Sequence, residues 1–128
     1  NSVFFIVTEY CQGGDLRNLI NYYISERKFF REDQVFDWTI QIFNGLSCLH
    51  EHNLIHRDLN PENVFIKNDQ IKIGGLGLAT TFESLKKTVT VTTAYSYVSP
   101  EVIEKSQYSI NSDVWSAACE YFFLTNIS

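Results

Sequence analysis

Eight consecutive residues, His56-Arg57-Asp58-Leu59-Asn60-Pro61-Glu62-Asn63, put an imidazole, a guanidinium, a carboxylate and an amide into one short stretch. Pro61 has no N–H to give and its ring clashes with a preceding helical turn, so no helix passes through. A helical apolar pattern runs into the stretch and a strand-like run, Val64-Phe65-Ile66, leaves it. It therefore reads as a loop between helix and strand that presents polar groups. An Asp with an Asn five positions on suits phosphoryl transfer. The carboxylate can accept the proton of a hydroxyl nucleophile, and the amide oxygen can ligate magnesium. The plain alternative is a polar loop without chemistry.

The elements that must position this loop can be read on either side of it. Val3-Phe4-Phe5-Ile6-Val7 is a continuous apolar run of β-forming residues and predicts a buried leading strand. Gly13-Gly14 marks a turn, and Asp15 is placed to cap a helix beginning at Leu16. Leu16, Leu19, Ile20, Tyr23 and Ile24 recur at helical spacing, and a polar loop over 25–31 follows. A second helix starts near Glu32-Asp33, acidic residues suited to the positive end of a helix dipole. Its two apolar faces (Val35, Phe36, Trp38, Thr39, Ile42, Phe43, Leu46, Leu49) predict a largely buried helix ending near residues 50–53. After the loop, 64–66 and 71–73 flank Lys67-Asn68-Asp69-Gln70, a hairpin signal. Residues 112–116 open a last apolar helix, with Asp113 in its acidic first turn.

Other chemistries find less support. His50 and His52 point to different faces of a helix, and His52 and His56 lack the Glu of H-E-x-x-H, so the histidines read as a helix end rather than a metal site. The glycines of 74–79 offer no phosphate cradle: G-K-[S/T] is missing, and G-x-G-x-x-G fails at Thr80. Cys11, Cys48 and Cys119 are odd in number and dispersed, which suggests reduced intracellular thiols, cytoplasmic or nuclear. The chain has 128 residues, 45% hydrophobic and 20% charged, with a net charge of −5. That is ordinary globular composition, with no electrostatic case for nucleic acid or an anionic membrane. No apolar run approaches the roughly 20 residues of a membrane span.

The loop resembles the H-R-D-x-x-x-x-N catalytic loop of protein kinases, and the flanks extend the resemblance along the whole chain. Residues 1–15 look like the hinge strand and hinge that leave the small lobe, and 16–128 like an incomplete large lobe. The resemblance implies an α+β fold: a large-lobe fragment, mostly helical, with a small hairpin and one leading strand. It implies Asp58 as catalytic base and Asn63 as metal ligand. Thr8 matches the gatekeeper, and Glu9 and Cys11 the backbone positions that bond adenine. Asp15 matches the ribose partner, and Phe65 would sit against the adenine. Gly75-Leu76-Gly77 matches the D-F-G segment, with Leu76 as an apolar packing residue. Residues 80–93 match the activation loop, where Thr88, Thr90, Thr92 and Thr93 are candidate phosphosites and Arg57 a partner for the phosphate. His56, Glu101 (in Ser99-Pro100-Glu101, matching A-P-E) and Asp113 match structural positions, Asp113 bonding the loop backbone. The hinge and the Ser-Pro-Glu segment look most like NIMA-related serine/threonine kinases. ATP, magnesium and a protein substrate or regulatory partner are implied.

Three positions depart from the pattern: Gly75 replaces the metal-binding Asp, Asn60 a Lys that contacts the γ-phosphate, and Ala94 a Thr of the same network. Asp69, the nearest acidic residue, lies on the hairpin turn and is no replacement. Losing one transition-state electrostatic group costs on the order of 100-fold or more. Two readings follow. One is ATP-dependent phosphorylation of protein Ser/Thr, impaired here; the other is a pseudokinase serving as a nucleotide-binding, scaffold or regulatory module.

Overall fold

Asp15 opens the first helix of the chain. Its Oδ1 accepts the Asn18 N–H at 2.8 Å and so caps α1 (Leu16–Ser25). This computed structural model describes residues 3, 5–86, 95–105 and 107–126, with Lys86 and Tyr95 as backbone only. Next come α2 (Glu32–Glu51), β1 (Leu54–Ile55), β2 (Val64–Lys67), β3 (Gln70–Ile73), β4 (Thr80–Thr81), α3 (Pro100–Lys105) and α4 (Ile110–Thr125), joined by short 3₁₀ turns. The chain is thus α+β, helix-dominated, with a few short antiparallel strands.

The core forms around one face of α2. Val35, Trp38, Ile42 and Leu46 are buried there against Leu16 and Ile20 of α1, Phe30, Val64 and Ile66 of β2, Ile71 of β3, and Ala117 and Leu124 of α4. Tyr23 stacks on Phe30 at 4.1 Å between ring centroids, and Phe30 meets Trp38 edge-on at 5.8 Å. The other apolar face of α2 was expected to be buried as well. It is not: Phe36, Ile40 and Phe43 are exposed. Periodicity reports which residues are apolar, not whether anything lies against them.

β2 and β3 pair antiparallel from Val64 opposite Ile73 to Lys67 opposite Gln70. Asn68 and Asp69 both have positive φ (50° and 61°), as a two-residue hairpin turn of type I′ requires. The hinge segment docks on the outer edge of β2 through Gly13 N to Ile66 O and Ile66 N to Gly14 O, both 2.9 Å. Position 13 has to be glycine, because a Cβ there would lie 2.7 Å from the Ile66 carbonyl oxygen.

The expected leading strand over residues 3–7 is corrected. Among the described residues, 3 and 5–10 form no strand, and Phe5, Ile6 and Val7 are 85%, 93% and 93% exposed. A strand is stabilised by pairing, and no described strand lies beside this one. No helix among the described residues is long and apolar enough to cross a membrane.

Candidate functional site

The polar loop is held at both ends before any of its groups can act. At its start, β1 pairs with β4, so the segment after the hairpin returns over the loop, and Phe82 N donates to Asn53 O at 3.2 Å. At its end, Asn60 caps a 3₁₀ turn over Pro61–Asn63, with Asn60 Oδ1 accepting Glu62 N–H at 2.9 Å. Leu59, fully buried, pins the middle into the core.

Below the loop lies the Asp113 carboxylate, in the first turn of α4 and 1% exposed. Its Oδ2 accepts His56 N–H at 2.9 Å and its Oδ1 accepts Arg57 N–H at 3.0 Å. His50 Nε2 contacts Oδ2 at 2.8 Å. This carboxylate over-determines the backbone where it is strained: Arg57 has φ 70°, uncommon for a residue other than glycine. The Arg57 guanidinium lies 4.7 Å from the centroid of Tyr108. The His56 tautomer follows from its neighbours. Nδ1 accepts Asp58 N–H at 3.2 Å, so the N–H sits on Nε2 and is donated to Gly74 O at 2.7 Å. Gly74 N in turn donates to Asn63 O at 2.8 Å. Gly74 is thereby fastened across the loop.

At the head of the loop stand the residues expected to act as base and metal ligand. Asn63 Nδ2 donates to Asp58 O at 2.8 Å and to Asp58 Oδ2 at 3.1 Å. Asn60 Nδ2 donates to Asp58 O at 3.0 Å and to Asp58 Oδ1 at 3.2 Å. Both carboxylate oxygens of Asp58 thus carry an amide N–H. Gly75 stands beside them with φ 70° and no side chain.

The positions expected to face a nucleotide lie along one edge. Phe65 is half-buried, bridges to Asp15, and sets its ring against Gly74, where a Cβ would fall 2.7 Å from Phe65 Cε2. Glu9 extends its side chain over the hairpin, with Oε2 2.8 Å from Lys67 Nζ and Oε1 3.5 Å from Lys72 Nζ. The Lys67 ammonium, bonded and charged, holds the Glu9 carboxyl below its usual range, with Lys72 adding to it. Cys11 O accepts Gly14 N–H at 3.1 Å in the hinge turn.

Magnesium finds a poor donor set here. It prefers one or two carboxylates in an octahedral oxygen shell. Position 75 offers none, each oxygen of Asp58 already accepts an amide N–H, and no group of three His, Cys, Asp or Glu among the described residues could hold a metal ion. The residues present do not fit the ion.

Other expectations fall apart from this cluster. Leu76, expected to pack, is 49% exposed, because the left-handed turn at Gly75 sends it into a 3₁₀ turn outside the core. Glu101 stands near α4, its Oε1 accepting Ser112 Oγ–H at 3.1 Å. Its own backbone N–H, more than the Ser112 hydroxyl, holds its carboxyl down. Thr88, Thr90, Thr92, Thr93 and Ala94 lie outside the described residues. Sequence reasoning missed the clamping role of Asn60 and the His50–Asp113 contact, since partners far apart in sequence leave no local signal. It also missed Glu120, which an acid inside the apolar run of α4 could have revealed.

A protein kinase domain family model matches residues 1–127. Among curated proteins, human serine/threonine-protein kinase Nek11 is 41% identical over 117 residues, covering 91% of this chain and 18% of that protein. Mouse serine/threonine-protein kinase Nek1 is 35% identical over 131 residues, covering 99% and 11%. Probable serine/threonine-protein kinase nek2 of Dictyostelium discoideum is 37% identical over 133 residues, covering 100% and 32%. The chain spans less than a third of the length of these relatives.

Proposed function

The chain belongs to the protein kinase domain family, with NIMA-related serine/threonine members among its relatives, and on that premise we propose that it is the hinge-to-α4 part of a domain that binds ATP and whose phosphotransfer to protein Ser/Thr is strongly impaired. The family uses ATP and magnesium. In this reading the backbone of Glu9 and Cys11 meets adenine, Asp15 meets the ribose and Phe65 lies against the base. Asp58 would accept the proton of the substrate hydroxyl. Its place at the head of the loop supports that assignment: each carboxylate oxygen takes only one amide N–H and keeps a further lone pair for a hydroxyl proton.

One observation carries the impairment: the position beside Asp58 and Asn63 holds a glycine and no carboxylate. Charge on a transferring phosphoryl group is then poorly neutralised, and electrostatic stabilisation is usually the largest catalytic contribution. The second reading, a nucleotide-binding or scaffolding pseudokinase, is favoured by the same glycine together with Asn60.

A thermal-shift titration of the full-length protein with ATP, with and without magnesium, separates these. A ligand that binds only the folded state raises Tm by mass action. We expect a shift with ATP that magnesium does not enlarge, and phosphotransfer at least about 100-fold below an active relative. A shift that grows with magnesium, with turnover matching that relative, would overturn the impairment. No shift at any ATP concentration would leave only the scaffolding reading.

A further inference from the structure

Gly75 looks like a simple deletion of a ligand, but its surroundings are full. A Cβ placed on Gly75 would lie 2.1 Å from Cγ and from Oδ1 of Asn63, and 2.6 Å from Nδ2. No van der Waals contact is that short, so the carboxamide of Asn63 occupies the volume that any side chain at 75 would need. Its orientation is fixed as well. The two atoms it faces, Asp58 O and Asp58 Oδ2, only accept hydrogen bonds, so the NH₂ group must point at them and Oδ1 must turn to Gly75. From the other side Asn60 gives its own NH₂ to Asp58 O and Oδ1, while its Oδ1 takes Glu62 N–H.

We propose that Asn60, Asn63 and Gly75 are one interlocked unit, in which each oxygen of the Asp58 carboxylate accepts one amide N–H and the Asn63 amide, held by Asp58, takes the space that a side chain at 75 would occupy. The unit stands in place of a metal site instead of being a metal site with one ligand missing. A carboxylate restored at 75 alone therefore does not recreate the ion's site, because Asn63 must first leave the space. The significance for catalysis rests on the kinase-family reading of the loop; the packing does not, and it can be tested without nucleotide.

The test is a double-mutant cycle in the full-length protein, read as Tm in chelator with no ligand. Gly75→Ala is measured alone and on Asn63→Ala, which removes the three atoms nearest to the new Cβ. The strain of alanine at positive φ is common to both backgrounds and cancels. Gly75→Ala is expected to lower Tm by roughly 4 °C or more in the natural background, and by less than about half of that beside Asn63→Ala. An equal loss in both backgrounds would overturn the proposal. A second measurement needs no variant that must fold: NMR of the Asn60 and Asn63 side-chain amide protons in the natural protein. Slow solvent exchange in chelator, with resonances unmoved by millimolar magnesium, supports the unit. Fast exchange, or an Asn63 amide that shifts on adding magnesium, overturns it. Loss of nucleotide binding in any form would count against the function proposed above and leave the cycle unaffected.

Discussion

Glu120 is the residue whose chemistry most conflicts with its surroundings. It sits in the apolar run of α4 with no exposure, and neither carboxylate oxygen has a hydrogen-bond partner among the described residues. Burial pushes its pKa up to about 8, against a smaller opposing pull from Arg17 of α1. Arg17 is itself committed to Tyr97, its Nη2 donating to the hydroxyl at 3.1 Å. Burial first, and the charge of Glu120 second, raise the Tyr97 hydroxyl and the Cys119 thiol. The sign follows from linkage. An acid with a folded pKa above its ordinary 4.5 releases its proton less readily in the folded state, so its contribution is fully present below about pH 4.5 and is lost as pH rises to about 8. Denaturant melts of the natural protein and of Glu120→Gln should therefore diverge with pH. Between about pH 5 and pH 9, the natural protein should lose on the order of 2–4 kcal/mol more than the variant. Parallel pH profiles would mean that Glu120 is satisfied by a partner.

At the scale of elements, the Asp113 carboxylate is the joint between α4 and the polar loop. It accepts two backbone N–H groups and meets His50 of α2, so three segments converge on two oxygens. Asp113→Ala would leave two donors without their acceptor at a site 1% exposed, and should cost about 3 kcal/mol in urea unfolding, with Asp113→Asn intermediate. An effect below roughly 0.5 kcal/mol would mean that the strained φ of Arg57 needs no such support. Elements built from neighbouring residues were legible in advance: the Asp15 cap, the α1 periodicity, the start of α2 and the Asn68-Asp69 turn each carry a local signature. The strand expected over 3–7 failed because a strand is completed by a partner elsewhere, and a β-rich apolar run says nothing of whether one is present.

For the whole molecule, apolar exposure is the feature that stands out. Phe5, Ile6 and Val7 at one end, Phe36 and Ile40 on α2, and Trp115, Tyr121 and Phe122 on α4 all present large apolar side chains to solvent. Patches of this kind mark surfaces that associate. The 128-residue chain expressed alone is expected to elute from a sizing column as soluble aggregate and to melt without a sharp transition. A monomer with a cooperative melt would show that these side chains are accommodated as they stand.

The sequence by itself determined which chemistry was available. Residues 56–63 supply Asp58, Asn60 and Asn63 within six positions. Those are facts of residue type and spacing, carried by local chain geometry. Only the tertiary structure decided how the groups use one another. The β2–β3 hairpin brings Gly75 against Asn63, and α4 brings Asp113 under His56 and Arg57 across more than fifty residues. Contacts of that range depend on how helices and strands pack, and packing leaves no imprint at the spacing of neighbouring residues. The space over Gly75 could be read from the sequence as empty; the fold fills it with an amide.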